Sequence, residues 1–185
     1  MKKLVLFLFI LCGFISTMQA QEVIVLDEAR LTIDLQAVTV DSNIGEIRCN
    51  VKEDYNGQFS SNPIKFMNEK FDFKDFLSAV VNKDEIDEYR VTFSSTKGYL
   101  EAVFTNEAEL VQTHQYFKDI LLPSAVRNQL HLENKGWTMV SNKYKASGKS
   151  DRIDKEVYKI RLENGNKRKT VKIVPSSTLI GFVDN

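Results

Sequence analysis

Residues 155–174 read KEVYKIRLENGNKRKTVKIV, and their alternation decides what kind of fold the chain adopts. Tyr158, Ile160 and Leu162 alternate with Lys159, Arg161 and Glu163, the period of two expected of a strand with one face buried and the other in water. Asn164-Gly165 is a hairpin signal, because a tight strand reversal needs residues that tolerate positive φ. In the returning run KRKTVKIV, turning Val171 and Ile173 inward leaves Arg168 and Lys172 outward, beside Lys159 and Arg161. The stretch is two antiparallel strands that need a cover on one face and carry cations on the other.

Working toward the N-terminus, LLPSAVRNQLHLENKGWTMV supplies the cover. Leu122, Val126 and Leu130 recur every four residues, the spacing of one helix face. Pro123 suits the first helical turn, and Gly136 stands where a left-handed residue ends a helix. WTMVSNKYKA then resumes as a strand. Before this helix lie three strand-like runs, DEYRVTFSS, GYLEAVFT and ELVQTHQYF, joined by turn residues in STKG and TNEAE. Earlier still, Asn62-Pro63 starts a helix carrying Ile64, Met67 and Phe71 on one face, with a second helical segment through Phe73, Phe76, Leu77 and Val80 after a break near Asp72. Upstream, EVIVL, ARLTIDL and EIRCNV read as short strands and EDYNGQFSSN as a polar loop; TLIGFV near the C-terminus is a candidate edge strand.

From residue 62 onward the order is helix, three strands, helix, three or four strands. The expected class is α+β: an antiparallel sheet with helices on one face, built from two tandem α-β-β-β repeats at 62–117 and 118–185, preceded by an N-terminal segment at 21–61 of short strands or a partly ordered arm.

Residues 1–20, MKKLVLFLFILCGFISTMQA, have the layout of a Sec signal peptide: two lysines, an apolar run from Leu4 to Ile15 too short to span a bilayer comfortably, and Ala20 before the expected cleavage point. Cys12 follows Leu11, where a lipid-acceptor cysteine needs a small residue before it, so lipidation is not expected. Export places the mature chain in the periplasm or outside the cell, without membrane insertion after cleavage. Removing 20 of 185 residues leaves 165, enough for one domain or two small sub-domains sharing a core. Cys49 is then the only cysteine, so no internal disulfide is available, and it reads as a small buried or half-buried residue.

The charges balance overall but not locally. Residues 22–117 carry 18 acidic against 9 basic side chains; residues 118–174 carry 6 against 14. This asymmetry admits two readings, one half docking on the other or a basic face for an acidic partner. Nucleic acid is not an expected partner, because the cations are not interleaved with exposed aromatics as a single-strand binder requires.

FKDILLPSAVRNQL, NKGWTMVSNKY and KEVYKIRLENGNKRKTVKI resemble the PepSY-like, beta-lactamase-inhibitor-like secreted proteins of Bacteroidetes. The positions that match are Leu122, Pro123 and Val126 at the helix start, Gly136 and Trp137 after it, and Tyr158, Ile160, Leu162 and Gly165 in the hairpin. The likeness covers residues 117–174 well and 63–117 more loosely, as a first repeat. It implies a secreted α+β binding or inhibitory module without a cofactor, and it carries over no contact residue.

The chemistry-bearing motifs are few. His114 and His131 are the two histidines, no GxSxG elbow accompanies them, and neither HExxH nor paired CxxC spacing supplies a metal site. No glycine-rich phosphate loop is present, and the carboxylates of Asp84 to Glu88 sit in a run too polar to desolvate one of them. No catalytic, cofactor-binding or metal-binding residue is therefore expected, and the chain is not expected to be an enzyme. Trp137 reads either as strand packing over the helix end or as an exposed anchor for a partner; Tyr144 reads as strand packing. Parity sets Trp137, Met139 and Lys143 on one face and Val140 and Tyr144 on the other. The expected function is non-catalytic binding of an envelope protein, inhibiting or restraining it, through a face bearing Lys159, Arg161, Arg168, Lys172 and Trp137. The alternative is a structural envelope-associated protein that binds a polymer or an anionic surface.

Overall fold

The computed structural model describes residues 35–41, 44–80 and 86–175. The leader, EVIVL, TLIGFV and most of ARLTIDL lie outside them. Among the described residues eight strands form a single sheet in chain order: β1 (Leu35–Asp41), β2 (Glu46–Val51), β3 (Glu88–Ser95), β4 (Gly98–Thr105), β5 (Leu110–Lys118), β6 (Thr138–Lys149), β7 (Arg152–Asn164) and β8 (Lys167–Ile173). All neighbours are antiparallel except β2 and β3. A parallel pair needs a crossover, and three helices make it: α1 (Asn56–Ser61), α2 (Pro63–Lys70) and α3 (Phe73–Val80). A further helix among the described residues, α4 (Ser124–Glu133), joins β5 to β6. The protein is thus a mixed α+β fold on a mostly antiparallel sheet, as the alternation of residues 155–174 requires.

Local sequence explains the helix boundaries. The Asn62 side chain accepts from the Lys65 N–H at 3.1 Å, and Pro63 follows at the first helical position, so α2 starts where the Asn-Pro pair puts it. Asp72 does the same for α3, its carboxylate accepting from the Asp75 N–H at 3.1 Å. After α4 the Asn134 side chain donates to the Leu130 carbonyl at 2.9 Å, and Gly136 takes a φ of +79°. The expected polar loop before α2 is not seen. EDYNGQFSSN is not a loop but a 3-10 turn at Glu53–Tyr55 running into α1. Phe59 is the reason: it is fully buried, with ring centroids 5.3 Å from both Phe66 and Phe117, and that packing outweighs the loop propensity of its polar neighbours.

The core lies on one face of the sheet. Cross-strand register aligns Ile47 with Val91, Val91 with Ala102, Phe117 with Tyr144, Tyr144 with Tyr158 and Tyr158 with Ile173. These residues share one cluster with Phe66, Met67, Phe76 and Leu77 of α2 and α3 and with Val126 and Leu130 of α4. Burying each large apolar side chain stabilises by about 1.5–3 kcal/mol, so this single-sided core holds the fold without a disulfide. Cys49 is part of it and fully buried.

The β5–β6 junction is held at one end by a clamp. Asp119, at a φ of +51°, donates its N–H to the Asn142 carbonyl at 2.9 Å, and its carboxylate accepts the Asn142 N–H at 3.1 Å. The buried Asn142 side chain in turn donates to the Ile120 carbonyl at 2.8 Å and accepts from the Ile120 N–H at 3.2 Å. Together these bonds place Lys118 directly opposite Lys143. Replacing Asn142→Ala removes both side-chain bonds to Ile120 and is expected to cost about 2 kcal/mol, read from urea denaturation. A loss too small to resolve would contradict the clamp.

Candidate functional site

The open face of the sheet has a pronounced chemical pattern between β5 and β8. Lys118 pairs with Lys143, Lys143 with Lys159 and Lys159 with Lys172, so four lysines stand directly opposite one another on four adjacent strands. All four are exposed. Neighbouring strands lie about 4.8 Å apart, and like charges placed directly opposite destabilise a sheet. Arg161 projects from the same face, as do Lys145 and Lys155. The one acid placed among them by register, Glu163, is already engaged with Arg168 at 2.7 Å.

Next to the lysine row, two residues along each strand, runs a different row. Tyr99 pairs with Tyr116, Tyr116 with Lys145, and Lys145 with Val157. The two tyrosine rings have centroids 5.9 Å apart, and the Lys145 ammonium lies 5.7 Å from the Tyr116 ring centroid. Tyr116, Lys143, Lys145, Val157 and Lys159 line a depression of about 190 Å³ between the rows. One aromatic, one aliphatic and three cationic side chains line it.

Of the expected partner-binding residues, the register brings Lys159, Arg161, Arg168 and Lys172 to this open face. Trp137 is not among them. It packs half-buried against the core, and the Lys169 ammonium lies 4.3 Å over its ring, while Lys169 itself pairs with the buried Leu162. Strict parity for Met139 and Lys143 also fails, because a bulge at Val140 sets Met139 opposite Leu162 on the covered face and Lys143 opposite Lys159 on the open one. Lys118, Lys143 and Lys145 belong to the basic face as well. Alternation of Lys143 and Lys145 with Tyr144 and Ala146 signals two of them in the sequence, but the strand pairing that adds Lys118 is non-local.

Among the described residues, ion pairs join Arg48 to Glu46, Lys65 to Glu69, Arg90 to Glu101, Arg152 to Asp154 and Arg168 to Glu163, and none of these uses the charge asymmetry to join the two halves. The excess cations face solvent instead.

Other candidates lie apart from one another. His114 is exposed on the open face, 2.9 Å from the Gln112 side chain, and His131 is exposed on α4. Burial pushes the Cys49 thiol up to about 12, so it carries little thiolate at neutral pH. On the covered face Tyr144 donates to Glu156 at 3.2 Å; burial, then the Glu156 carboxylate, raise its hydroxyl above the ordinary range, and Tyr158 is raised in the same order. Asp87 and Glu88 are exposed, while residues 84 and 85 lie outside the described residues. Among the described residues no three His, Cys, Asp or Glu side chains converge as metal ligands, and no helix is long and apolar enough to cross a membrane. Against family models, curated proteins and solved structures alike, the chain finds no match.

The lysine row carries a stability test. Lys143 is flanked by Lys118 and Lys159, so Lys143→Gln is expected to stabilise the fold by about 0.5 kcal/mol, with the gain shrinking at high salt. Chemical denaturation checks it, and an unchanged or lowered midpoint in dilute buffer would contradict the repulsion.

Proposed function

We propose that the chain is an exported, non-catalytic binding module of the periplasm or cell exterior, composed of two tandem PepSY-like α-β-β-β repeats. It holds an acidic envelope protein against the open face of β5–β8 and restrains that protein by occupying its surface. The observation that carries this reading is the row Lys118, Lys143, Lys159 and Lys172, which has no ion-pair partner among the described residues. A charge array kept at a cost in stability and left open to solvent is suited to an oppositely charged partner.

Three further features support the reading. The leader MKKLVLFLFILCGFISTMQA has the make-up of an export signal. A helical unit followed by three sequential antiparallel strands occurs twice in succession, α2 and α3 with β3–β5, then α4 with β6–β8, an element order that supports reading the chain as a duplication. The aromatic and aliphatic row beside the lysines favours a folded partner over a simple polyanion, since buried apolar area supplies affinity while the cations steer the encounter.

Crosslinked capture from the native envelope tests this function. The wild-type chain is expected to retain a discrete acidic protein, and a variant with Lys159, Arg161, Arg168 and Lys172 all changed to Glu is expected to lose it. Lys65→Glu with Lys74→Glu, on the helices, should keep it. An unchanged set of partners in the quadruple variant would refute the basic face, and retention of polysaccharide alone would turn the reading toward a polymer binder.

A further inference from the structure

We infer that the occupant of the open face is an amphipathic acidic helix of the partner, lying across the strands with one carboxylate stripe on the lysine row and an adjoining apolar stripe over Tyr116 and Val157. The inference rests on the proposed docking role of this face and deepens it.

Spacing selects the helix. Three inter-strand steps of about 4.8 Å set the four lysine positions over about 14 Å. A helix offers one side chain per turn on a given stripe, about 5.4 Å apart, or about 16 Å over three turns. A difference of about 2 Å spread over four long, flexible lysines is readily absorbed. An extended acidic segment presents same-face side chains about 6.8 Å apart, or about 20 Å over three steps, which overshoots the row by about 6 Å. Centred on the row, such a strand misses each terminal lysine by about 3 Å, against about 1 Å for the helix, so the helix is the better match.

The second row selects amphipathicity. It lies about 6.8 Å from the lysines, two residues along each strand, within the width of a helix about 10–12 Å across. Tyr99, Tyr116 and Val157 give that row apolar side chains on either side of Lys145, whose ammonium lies 5.7 Å from the Tyr116 ring, and the depression lined by Tyr116 and Val157 lies between the rows. A helix with carboxylates at positions i, i+4, i+7 and i+11 and Leu or Phe on the flanking stripe satisfies both rows together. A polymer carrying charge alone would satisfy only the first.

Fluorescence anisotropy with the purified full chain and three probes tests this. The probes are a stapled helical peptide with the two stripes, a stapled helical peptide of identical composition with its glutamates distributed around the axis, and polyglutamate. The striped helix is expected to bind about tenfold more tightly than its permuted counterpart. Lys143→Glu with Lys159→Glu should abolish this binding, and Val157→Asp should remove the preference for the striped helix while leaving polyglutamate binding in place. Equal binding of both helices, weakened equally by the lysine reversals, would overturn the helix and leave the docking face standing. A preference for polyglutamate over either helix would overturn it in favour of a linear polyanion. No binding of any probe, or binding indifferent to the lysine reversals, would bring down the docking face as well.

Discussion

The pairing of β5 with β6 is the constraint on which the rest depends. It fuses the strands before α4 with those after it into one sheet, sets Phe117 opposite Tyr144 in the core, and on the other face sets Lys118 opposite Lys143. One register therefore decides both what is buried and what is displayed. Asp119, Ile120 and Asn142 lock it at the end nearest α4, and at the far end the bulge at Ser147 and Gly148 lets the β6–β7 hairpin turn. Gly148 is required there, because a Cβ would run into the Arg152 carbonyl.

The two faces divide the work. Stability comes from the covered face, where aromatic pairs such as Phe73 with Phe104, 4.3 Å between centroids, link the helices to the strands. The open face contributes little to folding and, in its lysine row, works against it. Such a division leaves the open surface free to specialise, since changes there do not disturb the core. It also explains how the chain left after the proposed cleavage, with buried Cys49 as its one cysteine, can be stable without a covalent crosslink.

Much of this was legible in the sequence because it is local. The alternation of Tyr158, Ile160 and Leu162 with Lys159 and Arg161, the Asn62-Pro63 cap and Gly136 each state a rule that the fold obeys within a few residues. Three things were not legible, for a shared reason. Phe59 turns a polar run into α1 through contacts with Phe117, far along the chain. The bulge at Val140 moves Lys143 to the face opposite Met139, and a bulge leaves no mark in a pattern of period two. The alignment of four lysines across four strands is a property of pairing, so no window on one strand reveals it. The hairpin loop is also displaced by one residue from the Asn164-Gly165 pair, with Gly165 at φ +56° as its first turn residue and Asn164 still paired to Lys167.

The central claim is that these lysines face one another as a row rather than dispersing into solvent as independent charges. A double-mutant cycle on stability measures this directly, using Lys143→Gln, Lys159→Gln and the double variant, because the pair lies in direct cross-strand register. The account requires that each single change stabilise the fold and that the double variant gain less than the sum of the two, since removing either charge already removes their shared repulsion. Strict additivity would mean that the two ammonium groups do not sense each other, and would contradict the row.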